Sequence, residues 1–205
     1  MPSSSEYREQ PLPFSGDLQG ISANTIVIHH DKLYVGYVNK MKEIAEGLSE
    51  FAQGKKPLDG ANQTYSELRS LRIEETFAAN GVYLHEYYFA GLSGNGSIPD
   101  NALTQAIALK WGTVENFVKY FSASGMAVRG WVVLCWDTQL ERLKIYGCDT
   151  HNQGGVWGCM PIIVLDVFEH AYFIDHGSDR KAYIEAFWKN FDWTGANALF
   201  EKVTK

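Results

Sequence analysis

The chain has 205 residues, 45% of them hydrophobic and 14% aromatic, with a formal net charge of -6 at pH 7. That is enough apolar material for one sizeable core or two small ones, and the charge excludes a global basic field for nucleic acid or anionic membrane. No apolar run approaches the ~20 residues that would span a bilayer, and residues 1–8 lack the apolar core of a signal peptide. Cys135, Cys148 and Cys159 are an odd number with no close pair in sequence, which argues against a disulfide framework and for a reduced, cytoplasmic compartment.

Residues 1–20 hold the breakers Pro2, Pro11, Pro13, Gly16 and Gly20 and read as an extended arm. Ser22 reads as a helix N-cap. Beyond it Ile26, His30, Leu33, Tyr37, Met41, Ile44, Leu48 and Phe51 recur at close to the helical period, predicting one long helix that ends near Gly54 and Pro57. A second helix is predicted over about residues 65–90, charged at first, then nearly all apolar and aromatic over 82–89. Gly81 lies inside it, where glycine costs ~1 kcal/mol against alanine, so something is expected to approach the backbone closely there. The two helices form an antiparallel hairpin.

Residues 91–99 concentrate chain breakers, and the division of domains is placed there: arm and helical hairpin over 1–92, a C-terminal domain over 93–205. Asp100 reads as the cap of a helix to about Trp111, followed by a short helix over 114–123. Strands over 131–136 and 142–146 form a hairpin across a short polar turn. A Gly-rich loop, 147–158, leads to a third, apolar strand over 161–165, and helices are predicted around 183–188 and 197–203. The fold class is α+β: an N-terminal antiparallel helical hairpin, then a C-terminal domain with a three-stranded antiparallel sheet surrounded by helices.

The chemistry gathers where the third strand runs out. Asp166 sits at its end and His170 follows four residues later; if a helix starts there, the two share a face, and a carboxylate and an imidazole look into one small volume. Among the six histidines, His85 lies between Tyr83, Leu84, Tyr87, Tyr88 and Phe89, where a buried imidazole needs hydrogen-bond partners or a metal. His29 or His30 faces the apolar side of the first helix. Three imidazoles and one carboxylate from three separated segments suit iron, manganese or zinc, and spacing alone names neither the metal nor the reaction. No nucleophile motif is present, nor a dinucleotide fingerprint, since the glycines at 91–96 do not follow a strand.

The run Asp166-Val-Phe-Glu-His170-Ala-Tyr-Phe-Ile-Asp175, with Tyr183-Ile-Glu-Ala-Phe-Trp188 after it, resembles the C-terminal signature of iron/manganese superoxide dismutases. Ile28-His-His-Asp-Lys32 followed by Tyr37-Val38-Asn39 is similar to that family's first histidine motif, and Leu84-His85-Glu-Tyr-Tyr-Phe89 falls where its second ligand motif lies. Gly130-Trp131 and Asn152-Gln153 match further landmarks, so the resemblance runs from about residue 21 to 193. It implies one Mn or Fe ion per subunit held by His29, His85, Asp166 and His170, and conversion of superoxide to dioxygen and hydrogen peroxide by alternating one-electron steps. It also implies a homodimer or homotetramer in which Glu169 reaches a ligand histidine of the other subunit, a carboxylate acceptor for the ring's second N–H; His30 is then a neighbour of the ligands and not one of them.

By the same resemblance Tyr37 matches the gateway tyrosine of the substrate funnel. Gln153 falls where manganese members place the glutamine that bonds the metal-bound solvent, while iron members commonly supply it from the second helix, at the position of Gly81. Gly81 with Gln153 therefore leans towards manganese, and the Gln153 amide is expected to fill the space over Gly81. Leu33 and Phe173 replace a histidine and a tyrosine that pair across the family's dimer, a joint loss that can be nearly neutral. Phe168 and Val133 replace aromatics of the site wall. Lys32 and Arg180 are read as local attraction for an anionic substrate, with no nucleic acid or membrane as partner. Two alternatives stand beside this: a metal-binding relative with little turnover, and a metal-dependent hydrolase, for which no residue supplies an evident general base.

Overall fold

A computed structural model describes residues 7–204; Pro2 and the rest of residues 1–6 lie outside the described residues. The first helical stretch begins as expected at Ser22, whose hydroxyl accepts from the Thr25 backbone N–H at 3.1 Å, but it is not one uniform α-helix. After α1 (Ala23–Val27) the chain widens into a π-helical segment, Ile28–Tyr34, then continues as α2 (Val35–Ala52). The Val35 N–H donates to the His30 carbonyl, five residues back. Wider turns shift the side-chain register, and both His29 and His30 end up buried where α-helical spacing leaves room for one. α2 buries Val38, Met41, Ile44, Leu48 and Phe51 against α3 (Glu67–Gly91), whose inward face carries Ala78, Gly81, Val82, Leu84, His85, Tyr88 and Phe89.

The glycine-rich segment that follows is pinned to the far end of the chain. The Gly94 and Gly96 amides donate to the Asn190 and Phe191 carbonyls at 3.0 and 3.1 Å, and a Cβ on Gly94 would lie 2.4 Å from the Phe191 oxygen. α4 (Ala102–Trp111) is capped by Asn101 and not by Asp100: Asn101 accepts from the Thr104 amide while Thr104 accepts from the Asn101 amide, a reciprocal box. α5 (Val114–Ala127) runs through Gly125 and past the predicted end, because that glycine admits the Ile184 and Leu165 side chains.

Three antiparallel strands follow, β1 (Trp131–Asp137), β2 (Arg142–Cys148) and β3 (Cys159–Asp166), in the order β2-β1-β3. β1 pairs Trp131 with Cys148 on one side and with Asp166 on the other, with a register irregularity at Leu134/Cys135 on the β3 side. The chain then makes a 3-10 turn, Glu169–Ala171, and ends in α6 (Phe173–His176), α7 (Arg180–Lys189) and α8 (Trp193–Val203). One apolar core runs from Ile26 through Val82, Trp131 and Leu165 to Phe187 and Phe200. All three cysteines are free. Among the described residues no helix is long and apolar enough to cross a membrane.

Candidate metal centre

Three segments converge at one end of the sheet. The π-helical segment presents His29, α3 presents His85, and the end of β3 with the turn after it presents Asp166 and His170. One donor atom from each of the four lies within 4.8 Å of all the others. Donors held ~2.0–2.2 Å from a common ion lie at most about 4.4 Å apart, so a small contraction closes the set around a cation. His29, His85 and Asp166 are fully buried; the His170 side chain is 27% exposed. His170 reaches the carboxylate through the 3-10 turn and not through an α-helix starting at Asp166.

Asp166 and His85 are each oriented by a second contact. Asp166 Oδ1 accepts from the Phe168 amide at 2.9 Å, leaving Oδ2 to face His29 Nε2 at 3.1 Å, His170 Nε2 at 3.2 Å and His85 Nε2 at 3.6 Å. The Asp166 backbone carbonyl accepts from Tyr183 Oη at 2.7 Å. His85 Nδ1 bonds the Gly81 carbonyl one turn back. A carbonyl only accepts, so the proton of a neutral His85 sits on Nδ1 and Nε2 is a bare lone pair. That lone pair is buried, has no hydrogen-bond partner among the described residues, and faces a carboxylate oxygen. Two acceptors with no proton between them, away from water, are costly unless a cation lies between them. Among the described residues His29 Nδ1 is the other buried ring nitrogen without a partner.

The electrostatics favour neutral His29 and His85 rings beside an ionised carboxylate. Burial pushes His29 below its ordinary range against the pull of Asp166, and burial with the neighbouring His29 pushes His85 well below its own. Burial works against the charge on Asp166, but His170 and His29 outweigh it and hold the carboxyl well below the usual carboxylate range. For His170 burial is again outweighed, here by the Asp166 charge, and its proton is held more tightly than usual. This donor set, three imidazoles and a carboxylate, fits borderline divalent and trivalent first-row ions.

Beside these four stands a residue to which the sequence assigned no role. His151 is 2% exposed; its Nδ1 lies 2.9 Å from Trp131 Nε1 and its Nε2 2.7 Å from Tyr37 Oη. Indole N–H only donates, so Nδ1 accepts and Nε2 carries the proton that goes to Tyr37. Burial pulls the His151 pKa down to about 4, which keeps this arrangement at neutral pH. Gln153, expected to fill that place, is exposed. The loop decides this: Asn80 holds the His151 carbonyl at 2.8 Å and Asn152 reaches Thr76 Oγ1 at 3.1 Å, which turns His151 inward. The space over Gly81 is taken by the Tyr37 ring, whose Cγ would lie 2.8 Å from a Cβ there, and not by an amide. A glycine in a helix against bulky neighbours, with an unassigned histidine in a glycine-rich loop, was the available signal.

The remaining predicted residues fall around this group. His30 faces the arm, with Nδ1 2.7 Å from Asp31 Oδ1 and Nε2 donating to the Gln10 carbonyl at 2.9 Å. Glu169 is exposed. The Phe168 ring stacks on His170 at 5.3 Å and meets His151 at 5.2 Å. Phe173 is 56% exposed, and Lys32 is exposed. Arg180 donates to the Tyr172 hydroxyl at 3.2 Å and to the Val128 carbonyl at 2.8 Å; among the described residues no carboxylate neutralises it. Val133 lines a pocket of about 590 Å³ that also touches His151 and Leu84.

Residues 99–199 match the family described as iron/manganese superoxide dismutases, C-terminal domain. An iron superoxide dismutase of Aquifex pyrophilus is 42% identical over 92% of this chain and 88% of its own length. A manganese superoxide dismutase of Halobacterium salinarum is 33% identical over 98% of both chains, and an iron enzyme of Cupriavidus metallidurans 34% identical over 97% and 98%.

Proposed function

This chain belongs to the iron/manganese superoxide dismutase family, a family of oxidoreductases, and from that premise we propose that it disproportionates superoxide at a mononuclear centre held by His29, His85, Asp166 and His170. The observation that carries the reading is the buried His85 lone pair, without a hydrogen-bond partner among the described residues, turned on the Asp166 carboxylate at 3.6 Å. Bound manganese or iron supplies one-electron exchange, by which two superoxide ions and two protons become dioxygen and hydrogen peroxide. The leaning towards manganese rested on Gln153, and with His151 in its place that support is gone; relatives of both kinds cover the chain, so the proposal is one Mn or Fe ion per subunit.

The chain's own residues do the rest. The Gly81 carbonyl fixes the His85 tautomer and the Phe168 amide fixes the Asp166 rotamer, so the donor set is oriented in advance. Trp131 fixes His151, His151 donates to the Tyr37 oxygen, and the Tyr37 proton is left free to hydrogen-bond a small anion or water entering the site. Burial and then Asp166 push the Tyr37 phenol up, so it acts as a donor and stays neutral. Phe168 covers His170 and limits water. Lys32 and Arg180, with no carboxylate partner among the described residues of a chain of net charge -6, provide local attraction for the anion.

The same reading pairs two subunits through Glu169, whose carboxylate makes no ion pair among the described residues, beside the part-exposed His170 and the exposed Phe173 and Ile174. It treats 1–92 and 93–205 as two halves that share the centre, and the three free thiols favour a reduced, cytoplasmic setting. The deciding experiment is elemental analysis of the purified protein, then superoxide consumption after iron-only and manganese-only reconstitution. Metal near one per chain with rapid consumption in at least one form is expected. Zinc or no metal, with consumption in neither form, overturns the reading; bound metal with slow consumption selects the low-turnover alternative.

A further inference from the structure

The sheet that ends in Asp166 carries at its other end a pair of thiols that the proposed reaction does not use. β1 and β3 set Asp137 opposite Cys159 and Cys135 opposite Pro161, so Cys135 and Cys159 are diagonal neighbours on one face. The Cys159 sulfur lies near enough to Cys135 to act on its thiol. Both line the same pocket of about 590 Å³ that touches His151. They differ in access: Cys135 is 1% exposed, with Sγ 3.6 Å from the Lys144 carbonyl, while Cys159 is only half-buried. Cys159 also follows the glycine-rich loop directly, with Gly158 at φ 88° before it.

We propose that Cys135 and Cys159 form a reversible dithiol–disulfide modification site, oxidised by hydrogen peroxide. Cys159, the accessible thiol, attacks one peroxide oxygen; the O–O bond breaks, a sulfenic acid forms and one water leaves. The Cys135 sulfur then attacks the Cys159 sulfur; the S–O bond breaks and a second water leaves with the Cys135 proton. Two thiols and one peroxide become one disulfide and two waters, with the sulfurs oxidised and the peroxide oxygens reduced. Burial and the adjacent Cys159 sulfur push the Cys135 thiol up, so Cys135 is not the thiol that meets peroxide first. Cys148 pairs with Trp131 at the other end of β1 and is the bystander. The bond would close a ring around β2 and the loop that carries His151. The source of peroxide rests on the function proposed above; the thiol chemistry does not.

Purified full-length protein would be exposed to a few equivalents of hydrogen peroxide, and in a second arm to a superoxide source. It would then be quenched, unfolded, alkylated and mapped by mass spectrometry. Expected in the first arm are a loss of two hydrogens, a Cys135–Cys159 cross-linked peptide, alkylation at Cys148 alone, and reversal by dithiothreitol. Cys148→Ser should behave like the wild type, Cys135→Ser should accumulate a dimedone-reactive sulfenic acid at Cys159, and Cys159→Ser should show neither product. Three alkylated thiols after peroxide, a cross-link through Cys148, or sulfinate at Cys159 with Cys135 still alkylated would each overturn the proposal. A disulfide with added peroxide but none with the superoxide source would instead count against the proposed function.

Discussion

The Trp131 indole has one polar hydrogen and no acceptor, and this fixes the state of everything beyond it. Its N–H points at His151 Nδ1, so a second proton on that ring would set donor against donor. A neutral His151 is therefore built into the fold, and it makes the stability depend on pH in a definite direction. The folded chain holds the His151 pKa near 4, below its ordinary 6.5. As pH falls below 6.5 the unfolded chain takes up this proton and the folded chain does not. Stability from the neutral ring is thus complete above 6.5 and is lost as pH falls through about 4. His151→Gln removes that titration, and its urea midpoint should fall less than that of the wild type between neutral pH and about pH 4; parallel curves would refute the assignment. Asp166, His170 and His85 were legible from their strand-end and apolar contexts, while local pattern left His29 and His30 open and only the family resemblance chose between them. His151 was not, because which side chain of a loop turns inward depends on Asn80 and Asn152 reaching across from and to α3, contacts no local pattern encodes.

At the scale of elements, the first helix and α3 owe their close approach to two features that periodicity describes poorly. The apolar spacing from Ile26 to Phe51 reads as an α-helix throughout, since a π-turn adds one residue per turn locally and leaves the outer pattern nearly intact. Gly81 was legible as a point of close approach, but the group that approaches it was not. Tyr37 comes from the opposite helix, and its ring lies where a Cβ on Gly81 would be. Gly81→Ala therefore tests two opposed effects. Alanine gains ~1 kcal/mol of helix propensity, while displacing a packed ring costs about 1–3 kcal/mol and pulls the Tyr37 hydroxyl from His151. The net expectation is a lower thermal midpoint together with slower superoxide consumption at unchanged metal content. A more stable variant with wild-type turnover would show that the Tyr37 ring moves aside freely.

For the whole molecule, the breakers at 91–99 suggest a loose joint, yet Gly94 and Gly96 are bonded to the α7–α8 connection, and long-range packing of this kind has no signature in local composition. Beside the shared apolar core, the proposed centre is a further link between the first helical pair and the sheet. His29 and His85 come from one part, Asp166 and His170 from the other, and without a cation the His85 lone pair and the Asp166 oxygen stand 3.6 Å apart with nothing to reconcile them. The unfolded chain scatters these donors, so metal binding adds to folding stability by mass action. At a free-metal concentration of a hundred times Kd the gain is about 2.7 kcal/mol, or ~5–10 °C in thermal midpoint for a chain of this size. Stripping the metal with a chelator should lower the midpoint by that amount, and adding manganese or iron back should restore it. In Asp166→Asn the carboxylate that draws the three rings together is gone, so that variant should melt at one temperature with or without metal. A wild-type midpoint that ignores the metal would mean that the four donors do not close on an ion and that the two parts are held by apolar packing alone.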